Sequence, residues 1–215
     1  MSIVKKLKKS VWWVLNQLRL GAPTNLVLQS GLKDLGWFRS FYTKRSEDAA
    51  GHPIPWFTYS AYLFLDPRLQ AHFRVFEYGS GSSTLYFAQK VAQVYSVEHH
   101  PSWAQQMQAK LPPNASVLYC LPEDYPTAIR QAQATFHLIV VDGILRNECI
   151  RQAVNFLTED GVIIVDNSNR SEYREALSWL CAQGFRRLDF YGMAPIGTEL
   201  SCTSFFYKEL NCLNI

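Results

Sequence analysis

The chain has 215 residues, 48% of them hydrophobic and 18% charged, with a formal net charge of +3. That balance supports one large buried core and excludes global disorder, and the small charge, with no Lys/Arg stripe in the second half, demands no polyanionic partner. No nucleic-acid partner is expected.

Five cysteines, Cys120, Cys149, Cys181, Cys202 and Cys212, are scattered, odd in number and without a CxxC pair. That excludes a disulfide framework and a cysteine zinc site, and it points to a reducing, cytoplasmic compartment. At the N-terminus, Lys5-Lys6-Leu7-Lys8-Lys9 precedes the apolar run Val11-Trp12-Trp13-Val14-Leu15. Asn16, Gln17 and Arg19 interrupt that run and no small-residue cleavage site follows, so it does not read as a signal peptide. It is also far short of the ~20 residues that span a bilayer. What remains is a basic amphipathic helix that either makes peripheral membrane contact through residues 1–20 or packs on the body as a lid or dimer element. Trp12, Trp13, Trp37 and Phe38 offer apolar surface for a homodimer.

Residues 1–50 read as short helices with breaks at Gly21-Ala22-Pro23, Gly31 and Gly36, an N-terminal extension to a domain over residues 51–215. The prolines of Gly51-His52-Pro53-Ile54-Pro55-Trp56 hold an extended entry. Thr58 is placed to cap a helix through Leu65, which ends before Pro67. From Arg74, short apolar runs alternate with helical stretches. Strands are expected at residues 75–78, 94–98, 116–120, 136–141 and 161–165, with helices at 83–92, 101–110, 124–134, 147–158 and 171–183. The last of these stops at Gly184. Two further strands, near 185–191 and 202–208, flank a Gly/Pro-rich loop. Strands alternating with helices of this length predict a doubly wound α/β domain with a parallel sheet.

In such sheets ligands bind beyond the carboxyl ends of the strands. The first strand-to-helix turn is Glu77-Tyr78-Gly79-Ser80-Gly81-Ser82-Ser83-Thr84. Glycines let the backbone turn tightly and approach a ligand closely. Glu98 ends the second strand at the distance expected of an acidic residue that holds ribose hydroxyls. Glu77 separates two ligand classes: a carboxylate in the turn repels a pyrophosphate but suits an ammonium group. Thr84 replaces the third glycine of the dinucleotide fingerprint. Both features favour S-adenosylmethionine over NAD.

The run Phe76–Thr84, together with Ser96-Val97-Glu98-His99, resembles motif I and the acidic end of strand two in class I methyltransferases. A longer pattern resembles bacterial FkbM-like methyltransferases over about residues 50–208. It comprises Pro53-Ile54-Pro55-Trp56, the turn itself, Val140-Val141-Asp142-Gly143, Asp166-Asn167-Ser168 and Ser201-Cys202-Thr203-Ser204-Phe205-Phe206. The resemblance implies a Rossmann-like sheet of seven strands with the last one antiparallel. It implies that Glu77 and Gly79–Gly81 lie near the methionine part, Glu98 on the ribose, and Glu123 or Asp124 near the adenine. The cofactor-facing set so expected is Glu77, Tyr78, Gly79, Ser80, Gly81, Ser83, Thr84, Glu98, His99, Asp124 and Asp142.

Asp142 and Asp166 end two apolar strands and Asn167 follows directly, so the three converge at the sheet's carboxyl edge. Two carboxylates and an amide oxygen make an oxygen-rich set suited to Mg²⁺, Mn²⁺ or Ca²⁺. The arrangement resembles the Asp…Asp-Asn triad of catechol-type O-methyltransferases, whose metal activates a substrate hydroxyl. It departs from that pattern at Leu145, where those enzymes carry a lysine. Arg146 follows, and its guanidinium cannot act as a base. His99, His100 and His52 are the remaining base candidates. No Asn/Asp-Pro-Pro-aromatic motif follows the fourth strand, which sets exocyclic amine methylation aside. The expected reaction is O-methylation of a small-molecule or glycan hydroxyl, with Trp56, Phe57, Tyr59 and the loop Gly192–Gly197 as an apolar wall around the acceptor. Two alternatives stand beside it: a non-catalytic cofactor-binding module that docks through its N-terminal helix, and an NAD(P)-dependent oxidoreductase.

Overall fold

The computed structural model describes residues 3–215. Helices α1 (Ile3–Gln17), α2 (Gly21–Leu28), α3 (Gly31–Asp34) and α4 (Trp37–Thr43) form the N-terminal extension, and α5 (Tyr59–Leu65) leads into the sheet. Gly21 and Gly31 begin helices and Gly36 caps one, so the glycines expected to break helices mark their starts. Thr58 caps α5 by accepting the Ala61 N–H.

The strands are β1 (Arg74–Tyr78), β2 (Gln93–Glu98), β3 (Ala115–Tyr119), β4 (Phe136–Val141), β5 (Leu157–Asp166), β6 (Arg186–Gly192) and β7 (Ser201–Tyr207). Between them run α6 (Ser82–Ala88), α7 (Pro101–Gln108), α8 (Arg146–Ala153) and α9 (Arg174–Ala182). The strand order is β3-β2-β1-β4-β5-β7-β6, parallel except for β7, which is antiparallel to both β5 and β6. This is the expected seven-stranded doubly wound sheet with its last strand antiparallel.

The period-2 pleat divides the core between the two faces. Val75, Leu138, Val140, Val162 and Ile164 pack on one side with Phe57, Leu65 and Phe87. Phe76, Tyr78, Ile139, Val141, Ile163 and Val165 pack on the other with Tyr125, Ile150 and Leu180. Apolar side chains buried on both faces explain why β4 and β5 read as unbroken hydrophobic runs. Each such side chain contributes roughly 1.5–3 kcal/mol of burial.

Two expectations are corrected. The helix predicted at 124–134 is a 3-10 segment over Tyr125–Ala132, ended by Gln133 in the left-handed region. The helix predicted at 147–158 ends at Ala153, passes through a 3-10 turn and gives way to β5 at Leu157. That longer strand absorbs a register irregularity against β4 between Phe136 and Leu138. Both misses share one cause: polar spacing in a short segment does not distinguish an α-helix from a tighter turn.

Candidate active site

Strand order reverses between β1 and β4, and the β1–α6 turn opens there, at the carboxyl edge of the sheet. Gly79 sits at φ +108°, a conformation that glycine adopts without cost, and its N–H donates to the Val97 carbonyl at 2.9 Å. A Cβ there would also touch the Gly143 backbone at 3.4 Å, so glycine lets the β1 and β4 turns lie side by side. Thr84 does not face the ligand side. Its hydroxyl accepts the Gly81 N–H at 3.1 Å and pins the start of α6. A Cβ built on Gly81 meets nothing within 4 Å. That open space belongs to a cavity of about 440 Å³ lined by Glu77, Tyr78, Gly79, Ser80, Gly81, Ser83, Glu98, His99 and Asp142.

Glu77 is 1% exposed, and neither of its carboxylate oxygens has a hydrogen-bond partner among the described residues. Burial pushes its pKa up to about 7, against the pull of the Thr84 and Ser83 hydroxyls and with a further rise from Asp142. A buried carboxylate without partners costs free energy that an ammonium group would offset. Across the cavity Glu98 is 6% exposed and well anchored. Its Oε1 accepts the His99 and His100 N–H groups at 2.9 and 3.0 Å, and its Oε2 accepts the Ser80 hydroxyl at 3.1 Å. His99 Nδ1 lies 3.1 Å from the same carboxylate.

Asp142, Asp166 and Asn167 do meet at one edge, but the Arg146 guanidinium joins them, touching the Asp142 carboxylate, the Asn167 amide oxygen and the Asp166 carbonyl. Arg146 donates through Nη2 to Asp142 Oδ1 and to the Asp142 carbonyl, both at 2.9 Å. Through Nε it reaches the Gly143 carbonyl at 2.9 Å. Its Nη1 reaches the Asp166 carbonyl at 2.5 Å and Asn167 Oδ1 at 3.4 Å. Asp166 is spent elsewhere: Oδ1 accepts the Thr203 hydroxyl at 2.6 Å and Oδ2 accepts Asn167 Nδ2 at 2.7 Å. Burial and the adjacent Asp142 charge push Asp166 upward, and burial pushes Asp142 upward against Arg146. Thr203 in turn accepts the Thr58 N–H at 3.0 Å, so Asp166 ties β5, β7 and the start of α5 together.

Of the proposed ligand oxygens, only Asp142 Oδ2 carries no hydrogen bond among the described residues. This corrects the metal expectation. A divalent ion such as Mg²⁺ needs several free oxygen donors, and here Arg146 occupies Asp142 Oδ1 and Asn167 Oδ1 while Thr203 and Asn167 occupy both Asp166 oxygens. The donor set does not fit a metal.

Other predicted residues lie apart. Asp124 is exposed, caps nothing with its side chain and does not line the cavity. Of the histidines named as bases, only His99 lines it: His52 pairs with Asp48, and His100 bonds Ser102. Phe57 and Tyr59 are core residues, whereas Trp56 and Ile196 form the wall. Ile196 sits at φ +69°, a strained position for a β-branched residue.

Three contributions were not foreseen. Trp103, in the first turn of α7, lines the cavity and donates Nε1 to the Ser80 carbonyl at 2.8 Å. An aromatic residue five positions after Glu98, in the helix that starts beside the turn, is the signal that could have marked it. Lys44, Arg45 and Ser46 reach the cavity from the N-terminal extension. They do so because Trp37 Nε1 bonds the Gly197 carbonyl at 2.8 Å and Ser40 exchanges hydrogen bonds with Glu47. Tyr125 stands under Gly143, where an added Cβ would strike its hydroxyl.

No known protein family and no curated protein matches the chain. Solved structures do match it in fold. A precorrin 8W decarboxylase from Methanobacterium thermoautotrophicum aligns with TM-score 0.53 and 20% identity, over 77% of this chain and 97% of that one. The O-methyltransferase TomG from Streptomyces achromogenes, in complex with S-adenosylmethionine, aligns with TM-score 0.57 and 17% identity, over 68% and 77%. An S-adenosylmethionine-dependent O-methyltransferase from Thermotoga maritima aligns with TM-score 0.54 and 14% identity, over 69% and 64%. The chain shares the Rossmann-like fold of these structures.

Proposed function

We propose that this protein is an S-adenosylmethionine-dependent methyltransferase that acts on a hydroxyl of a small molecule or glycan without a divalent metal. One observation carries the cofactor reading: Glu77, buried and without a hydrogen-bond partner among the described residues, lines the cavity at the glycine turn together with Glu98. A carboxylate at the bottom of the turn suits the methionine ammonium, and Glu98 suits the ribose hydroxyls. Gly81 leaves room for the ligand to approach the backbone.

When bound, the cofactor supplies an electrophilic methyl group. The chain's own residues do the rest. Trp56 and Ile196 hold an apolar wall that excludes water from the reacting atoms. Arg146 fixes Asp142 through the carbonyl and one carboxylate oxygen, leaving Oδ2 to accept a hydrogen bond from the acceptor hydroxyl and then its proton. The preference for oxygen rests on that single carboxylate and on the absence of an amine-methylating motif after β4.

Calorimetric titration with S-adenosylhomocysteine, with Glu98→Ala as control, tests the cofactor. Micromolar binding weakened by the substitution supports the reading. No binding to wild type, with NADH binding in its place, overturns it. A methyl-transfer screen over hydroxyl acceptors in EDTA then tests the reaction.

A further inference from the structure

The N-terminal extension consists of two parts that behave differently. Helix α4 is tied to the body directly through Trp37, while Ser40 and Arg39 (2.9 Å) hold it to Glu47, which forms a β-bridge with Pro53. Helices α1 and α2 bury almost nothing: no residue of α1 is buried, and only Gly21 of α2 is. Yet the pair has a built geometry. Leu20 N–H bonds the Leu15 carbonyl at 2.8 Å, and the Asn16 side chain packs against the space a Cβ on Gly21 would take, which makes the α1–α2 corner tight. Trp12 and Leu15 are the half-buried positions of α1.

On α1, residues three and four apart share a face. Ile3, Leu7, Val11, Val14 and Leu18 make one stripe with Val4 beside it, all exposed by between 47% and 84%. Helix α2 adds exposed Leu26, Val27 and Leu28. By the same spacing Lys6 and Lys8 border the stripe on its two sides, with Lys5 and Lys9 behind. Arg19 and Lys33 follow, and no acidic residue precedes Asp34. An apolar face this large is a docking surface. Its charge selects the partner. A second copy would bring the same cations and no carboxylate from this segment to pair with them.

We propose that the α1–α2 pair lies in the surface plane of an anionic lipid bilayer, with the apolar stripe among the acyl chains and the lysines at the phosphates. Among the described residues no helix is long and apolar enough to cross a membrane. Through α3 and α4 the pair connects directly to Lys44, Arg45 and Ser46 at the cavity.

The test is co-sedimentation of the full chain with phosphatidylcholine vesicles, with and without phosphatidylglycerol. Binding is expected only to the anionic vesicles, weakening as salt rises. Replacing Lys5, Lys6, Lys8 and Lys9 together by Gln should lower it at least about a hundredfold, since each lysine near such a surface contributes about fivefold. Val11→Glu with Val14→Glu should abolish it. Both variants change exposed positions, and an unchanged melting temperature shows that they fold. Three outcomes overturn the proposal: no binding to anionic vesicles, equal binding to neutral ones, or a dimer that Val11→Glu/Val14→Glu dissolves without any vesicle binding.

Discussion

Two groups of carboxylates stand at the same sheet edge, and they differ in what their oxygens are doing. At the turn after β1, neither Glu77 oxygen has a hydrogen-bond partner among the described residues, although the Thr84 and Ser83 hydroxyls lie near enough to pull against the effect of burial. At the ends of β4 and β5, Asp142 and Asp166 are tied to Arg146, Thr203 and Asn167. A buried polar group without a partner is costly, and a satisfied one is part of the framework. The contrast assigns ligand binding to the first group and scaffolding to most of the second, with Asp142 Oδ2 as the exception.

The largest effect should come from breaking the satisfied group. Arg146→Leu leaves three carbonyls and Asp142 without their donor and is expected to cost about 3 kcal/mol of stability, read by urea unfolding. A loss under 1 kcal/mol would mean that the guanidinium is incidental. Next comes Glu98→Ala, expected to weaken S-adenosylhomocysteine at least about tenfold, since charge-assisted bonds are worth about 1.5–3 kcal/mol each, and to lower the melting temperature because the His99 and His100 N–H groups and the Ser80 hydroxyl lose their acceptor. Unchanged affinity would move the ribose elsewhere.

Glu77→Gln sharpens the comparison through pH. Below about 7 the folded state keeps a proton on Glu77 that the unfolded chain releases near its ordinary carboxylate pKa. Stability therefore falls as pH rises from about 4.5 to about 7, while affinity for an ammonium-bearing ligand rises through the same window. Glu77→Gln should flatten both, as followed by melting and calorimetry across pH 5 to 8. Parallel curves for variant and wild type would remove Glu77 from the site.

The glycines give a smaller, opposed pair. Gly79→Ala should destabilise the fold by about 1 kcal/mol because of its positive φ. Gly81→Ala meets no protein atom, so it should leave the melt unchanged and lower cofactor affinity. The smallest effect is the absence of one: EDTA should not change methyl transfer, and restoration of lost activity by Mg²⁺ would reinstate the metal.

Much of the fold was legible from residue order. Apolar runs buried on both faces have no alternative reading once helices alternate with them, and the Glu-Tyr-Gly-Ser-Gly turn with Glu98 follows from short-range spacing. Local chemistry decides such features. The triad was legible as three residues at one edge, but not as a network. Whether Asp142, Asp166 and Asn167 present oxygens outward or spend them inward depends on Arg146 entering from α8 and Thr203 from β7, contacts between residues that lie up to 37 positions apart. The same holds for Trp103 and Lys44, which reach the cavity only because α7 and α4 pack there. Sequence spacing determines which side chains share an element's face, whereas the partners those side chains find are decided by the packing of elements distant in the chain.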